Sequence, residues 1–133
     1  MKKVILTLLN LFLIAGIAFA QNQERLSVHY FDVPDELVED LVAHNKMTNQ
    51  LLEEAGFGKD FYKLYRVKDD DDAKQYRFFM ISQYTSDKHY EMTHNVSDAY
   101  QKHTDKFWDS ELGKLFTMDD NKHIYRKVYR IED

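Results

Sequence analysis

From Val4 to Ile17 the chain is apolar except at Thr7, Asn10 and Gly16, and beyond residue 20 it breaks into short strand-like and helix-like patterns. Leu26 to Val33, rich in Val, Tyr and Phe, predicts a first strand. Pro34 with Asp35 and Glu36 predicts a helix start, because proline suits a first turn and acids favour its positive end. Leu37, Val38, Leu41, Val42, Leu51, Leu52 and Ala55 form one stripe at helical spacing, closed by Gly56. Phe61 to Val67 and Gln75 to Tyr84 predict two aromatic-rich strands joined by the polar hairpin loop Lys68 to Lys74. Ser86 predicts the N-cap of a second helix that carries Met92, Val96, Ala99, Tyr100 and Phe107 on one stripe and runs to about Trp108. Ser97-Asp98 is a second capping signal, at which the helix either breaks and restarts or runs on; the pattern leaves both open. A loop containing Gly113 then leads to a last strand, His123 to Ile131.

The order β-α-β-β-α-β predicts one α+β domain over residues 21–133, with a ferredoxin-like four-stranded antiparallel sheet and two helices on one face. A sheet with one wet face alternates apolar and polar residues. Here adjacent pairs are apolar or aromatic: Tyr30-Phe31, Phe61-Tyr62, Leu64-Tyr65, Phe78-Phe79 and Met80-Ile81. Two helices shield one face, so a second copy laying its sheet on the other is the expected cover, and a homodimer follows. The competing reading is a tyrosine surface with its hydroxyls in water.

Charge and the N-terminus narrow the partners. Lys2 and Lys3, the apolar run and Ala18-Phe19-Ala20 are the three parts of a cleavable signal peptide over residues 1–20, with cleavage before Gln21. The run is shorter than the roughly 20 residues a spanning helix needs. The expected destination is the periplasm or the medium, with no membrane attachment after cleavage. The remaining 113 residues hold 16 basic and 23 acidic side chains, net −7, without a basic cluster, so nucleic acid and anionic membranes are not expected partners. The absence of cysteine removes disulfides, thiolate nucleophiles and thiolate metal sites. Stability must come from packing, and a domain of this length gains from association.

One stretch carries a family likeness: Phe78-Phe79-Met80-Ile81-Ser82-Gln83-Tyr84, then Ser86, Tyr90, His94 and Ser97. With the element order, it resembles the dimeric α/β-barrel superfamily, which includes antibiotic-biosynthesis-monooxygenase-like domains and haem-degrading monooxygenases. Members commonly show a hydrophobic strand ending in an aromatic, a Ser or Asp soon after, and a His followed by a Ser in the next helix. Tyr84, Ser86, His94 and Ser97 match that pattern. The resemblance implies a dimer whose sheets form a barrel, with a ligand cavity between each sheet and its helices. The haem-degrading branch uses an Asn near strand one, a Trp in the second helix and a His about ten residues on. Here His103 alone is in place, with Leu26 or Ser27 for the Asn and Thr93 or His94 for the Trp, so haem cleavage is not expected.

Histidine is the side chain best suited to move a proton near neutral pH. At about 100° per residue, His44 falls near the middle of the first helix's stripe, with Asn45 and Thr48 beside it. His89 and His103 share the stripe of the second helix, while His94 points toward the surface or the dimer seam. Metal binding is not expected: fourteen residues separate His89 from His103, about 21 Å along a helix. His94 and Asp98 supply two ligands without a third. Asp69 to Asp72 lack the spacing of a calcium loop, and no Gly-x-Ser-x-Gly elbow occurs. No cofactor is expected either.

Three readings remain. The leading one is a pocket for a small hydrophobic or aromatic molecule, with Asn45, Thr48, Phe78, Tyr84, His89, Tyr100 and Phe107 as ligand-binding residues. Phe31, Tyr65 and Trp108 extend the aromatic set. The second is a cofactor-independent monooxygenase-like enzyme in which His44 or His103 takes a proton from a phenolic or enolic substrate before oxygen reacts. The third is a structural dimer module in which the same aromatics are ordinary core.

Overall fold

A computed structural model of the chain describes residues 24–71, 76–117 and 123–131. The expected signal peptide, Gln75 at the expected start of the third strand, and the tip of the expected hairpin loop lie outside the described residues. In order come β1 (Arg25–Phe31), a 3-10 turn (Asp35–Leu37), α1 (Val38–Glu54), β2 (Tyr62–Arg66), β3 (Phe78–Tyr84), α2 (Asp87–Thr93), α3 (Asp98–Asp109), α4 (Glu111–Leu115) and β4 (Ile124–Tyr129).

The strands make one antiparallel sheet in the order β2-β3-β1-β4. The crossover through α1 passes over β3, and the crossover through α2, α3 and α4 passes over β1. Both helical layers lie on the same face, where Leu41 of α1 and Leu112 of α4 join Phe31, Val33, Leu37 and Phe78 in the core. The arrangement is a small α+β domain compatible with a ferredoxin-like fold.

Strand periodicity decides what faces the helices. Arg25, Ser27, His29 and Phe31 point to the helical side and pair with Tyr84, Ser82, Met80 and Phe78. Leu26, Val28 and Tyr30 point away, with Phe79, Ile81, Tyr65, Ile124 and Val128 on the same outer face. Tyr30, Tyr65 and Val128 are 41%, 42% and 40% exposed, and Tyr65 stacks on Phe79 at 4.7 Å. Among the described residues no helix covers these apolar side chains.

Several helix details differ from the sequence expectation. α1 ends as anticipated: Gly56 takes a φ of +88°, and Phe57 N–H returns to the Leu52 carbonyl at 2.9 Å. Val42 and Ala55 are exposed, so its buried stripe is narrower than the apolar pattern. Of the two outcomes left open at Ser97, the structure shows the break. Ser86 and Ser97 each cap their own helix by accepting a backbone N–H, from His89 at 3.1 Å and Tyr100 at 3.2 Å. The break changes the phase of the count, and Met92 and Ala99, expected on one buried stripe, are exposed.

Gly113 belongs to a helix, not to a loop. Ser110 caps α4 by accepting the Gly113 N–H at 3.0 Å, and a Cβ on Gly113 would lie 2.0 Å from the Phe107 carbonyl oxygen. Only glycine lets α4 turn back so tightly on the end of α3. Asn49 contributes a further tie. Its side chain accepts from the Tyr62 N–H at 2.8 Å and donates to the Tyr62 carbonyl at 2.9 Å, binding α1 to the start of edge strand β2.

Candidate functional site

Between the sheet and the helices lies a half-enclosed cavity of about 360 Å³. Its floor follows from strand alternation: Ser27 and His29 from β1, Tyr62 from β2, Met80 and Tyr84 from β3, and Tyr125 from β4 all face the helices. Its roof comes from helical spacing. Leu41, His44, Asn45 and Thr48 lie on one side of α1, and Tyr100, Thr104, Phe107 and Trp108 on one side of α3. Tyr90, His94, Phe116 and His123 complete the wall.

Two histidine pairs belong to this arrangement. His44 stacks on His103 at 4.6 Å and on Phe107 at 3.9 Å. Thr48 Oγ1 donates to the His44 carbonyl at 2.9 Å and lies 2.9 Å from His103 Nε2. With the single hydroxyl hydrogen committed to a carbonyl, His103 Nε2–H is the donor to Thr48, which fixes its tautomer. On the sheet side, His29 Nδ1 and His123 Nε2 are 3.2 Å apart and share one proton between two neutral rings. Burial, reinforced by the neighbouring histidine, pushes His29 and His44 each from 6.5 down to about 4. Burial also lowers His103 and His123. The cavity walls at 29 and 44 are therefore uncharged at neutral pH.

The phenols form a second network. Ser82 Oγ donates to Tyr84 Oη at 2.9 Å, Tyr84 Oη lies 3.4 Å from Tyr62 Oη, and Ser27 Oγ lies 3.1 Å from Tyr125 Oη. Burial raises the Tyr62 phenol, helped by Tyr84 and Tyr100, and burial likewise raises Tyr90 and Tyr100. All three stay protonated at neutral pH. Behind this wall the Arg25 guanidinium lies 3.7 Å from the centroid of the Tyr90 ring and pairs with Asp87 at 3.0 Å.

Of the residues singled out in the sequence, His44, Asn45, Thr48, Tyr84, Tyr100 and Phe107 come together around the cavity. His103 sits behind His44, joined to it by the ring stack and by Thr48. Phe78 is elsewhere: it is 3% exposed and packs on Phe31 in the core. His89 is also apart, stacked on Phe57 at 5.7 Å with its Nδ1 accepting the Thr85 N–H. The interruption between α2 and α3 takes His89 off the α3 stripe. The same interruption brings His94, expected at the surface or the dimer seam, to the cavity rim with its ring 4.1 Å from that of Tyr90.

Sequence reasoning did not single out His29, Tyr62, Tyr125 or His123. The signal for His29 was available, since it alternates with Ser27 and Phe31 on the inward side of a strand. Tyr125 and His123 had no such marker, because facing β1 is a matter of register. Among the described residues, no group of three or more His, Asp or Glu side chains is placed to hold a metal ion. No protein-family model and no curated protein matches the sequence.

Proposed function

We propose that this chain is an exported, homodimeric α/β-barrel protein that holds a small hydrophobic or aromatic molecule between its sheet and its helices. One observation carries the reading. A space of about 360 Å³ persists although Tyr84, Tyr100, Phe107 and Trp108 all stand at its wall. Protein interiors are packed densely and leave few voids larger than a water molecule, whereas ligand pockets run from about 300 to 1,000 Å³. Aromatics serving as plain core would have closed the gap.

The dimer and the ferredoxin-like topology belong to the same proposal. Two crossovers that each pass over one strand are what a split β-α-β pair requires. The uncovered face joins Val28 and Ile81, paired at the sheet centre, to Tyr30, Phe79 and Tyr65. An apolar strip of this kind, flanked on the same face by Lys63 and Arg126 on the two edge strands, favours a partner sheet. Among the described residues no helix is long and apolar enough to cross a membrane. Export rests on residues 1–20, and sequencing the N-terminus of the protein recovered outside the cytoplasm tests it: the expected first residue is Gln21.

Binding ranks above proton abstraction because of His44. A base held at about 4 takes a proton from a phenol near 10 only at a cost of about 8 kcal/mol. Thermal unfolding with a panel of small aromatics tests the reading. The expected result is a saturable rise in midpoint for at least one compound, with no product and no oxygen uptake. If millimolar concentrations of every compound leave the midpoint unmoved, the binding reading fails.

A further inference from the structure

On the sheet side of the cavity two histidines meet through their ring nitrogens. His29 Nδ1 and His123 Nε2 are 3.2 Å apart, the ring centres are 5.4 Å apart and the planes are 21° from parallel. Rings in that relation, with two nitrogens between their centres, meet edge to edge, and each nitrogen aims its proton or lone pair at the other. One proton fills the position between them, and a metal ion of low coordination number can fill it instead. Metal–nitrogen bonds of about 2 Å set the nitrogens about 4 Å apart, so the rings need to separate by only about 1 Å. The N–H between the rings moves to the far nitrogen of the ring that held it. Both imidazoles then present a lone pair, both stay neutral, and no proton is released.

A third donor stands beside the pair. Met80 on β3 is the cross-strand partner of His29 on β1 and lines the same cavity. Directly paired residues have Cβ atoms about 5 Å apart, and the rotatable bonds of methionine carry its thioether over that distance. The ligand types point to the ion. Two imidazoles and a thioether carry no charge, the cavity wall adds no carboxylate among the described residues, and the chain has no cysteine. A divalent ion there keeps its charge uncompensated, and zinc lacks a fourth protein ligand. Copper(I) carries a single charge, accepts two or three ligands and favours thioether and imidazole. Rings crowd the pair, with Tyr125 4.4 Å from His29 and Phe116 5.2 Å from His123. They limit the room for water to add further ligands.

We propose that His29 and His123 hold one copper(I) ion between their facing nitrogens, with the Met80 thioether as a third ligand. Chain spacing carries no trace of such a site, because the two histidines are 94 residues apart and meet only where β4 pairs with β1. The site needs no organic molecule, so it stands or falls separately from the binding reading above.

Anaerobic titration of the purified protein with copper(I), in competition with a chromogenic copper(I) chelator, tests it. One ion per chain is expected to be withdrawn from the chelator, and zinc(II) is expected not to displace it. His29→Phe and His123→Phe keep a flat ring and are each expected to weaken binding about a hundredfold, and Met80→Leu about tenfold. His89→Phe, whose ring lies off the cavity against Phe57, is expected to bind as the unmodified protein does. Should the histidine variants fail to fold, X-ray absorption of the copper-loaded unmodified protein decides, with two imidazole nitrogens and one sulfur expected around the ion. No withdrawal of copper, equal affinity in His29→Phe or His123→Phe, equal loss in His89→Phe, displacement by zinc(II), or a copper environment without imidazole or without sulfur each overturns the proposal.

Discussion

The residue that organises the helical side of the cavity is Thr48. Its hydroxyl donates to one carbonyl and receives the His103 ring N–H, holding His103 against His44. Thr48→Val keeps the shape but removes the hydroxyl that joins the His103 ring to α1, so it is expected to lower stability by about 1 kcal/mol in urea titration. An unchanged midpoint would show that the bond contributes nothing. The histidines also set an acid limit. Free in an unfolded chain His29 and His44 titrate near 6.5, but burial holds them at about 4 in the fold. Between these values the unfolded chain binds more protons, so stability is full above pH 6.5 and falls as the pH drops toward 4. Each histidine contributes at most about 1.4 kcal/mol per pH unit in that window, an upper bound because both rings are only partly buried. The urea midpoint is expected to fall steadily from pH 7 to 4.5, and His44→Phe to make that fall shallower. A midpoint flat over this range contradicts the buried neutral pairs.

At the scale of elements, the site depends on a helix that stops and restarts. Ser97 ends the α2 phase and begins that of α3, which is why Tyr100, Thr104 and Phe107 face the cavity while His89 does not. Ser97→Ala removes the cap on the Tyr100 N–H and is expected to cost about 1 kcal/mol, with a matching loss of helical circular dichroism on partial denaturation. The turn from α3 into α4 is less forgiving. A methyl at Gly113 has no room against the Phe107 carbonyl, so Gly113→Ala is expected to cost about 3 kcal/mol. A neutral effect in thermal unfolding would mean that α4 packs differently.

At the scale of the whole molecule, the outer sheet face has no helix over it among the described residues. Val28 and Ile81 face each other across its two central strands. Placing a charge there opposes any sheet-on-sheet contact, because a buried unpaired charge is prohibitive. Light scattering is expected to give twice the chain mass for the protein and a single chain mass for Val28→Lys, with the variant's circular dichroism unchanged. A monomer in the unmodified protein at high concentration would remove the dimer and leave the cavity to be judged by itself.

Periodicity along the chain determined the four strands and the two main helical stretches, though not α4, which was expected as a loop; apolar spacing and capping residues are local properties. It placed His44, Asn45 and Thr48 on the inward side of α1 for the same reason. It also marked Ser97 as a cap, though not that the helix breaks there, since a capping signal inside a helical pattern is compatible with either outcome. Tertiary structure alone decided the rest. That His123 and Tyr125 meet His29, and that Phe78 fills the core rather than the cavity wall, follows from strand register and layer packing. Those are contacts between residues far apart in the chain, and no local pattern encodes the distance between them.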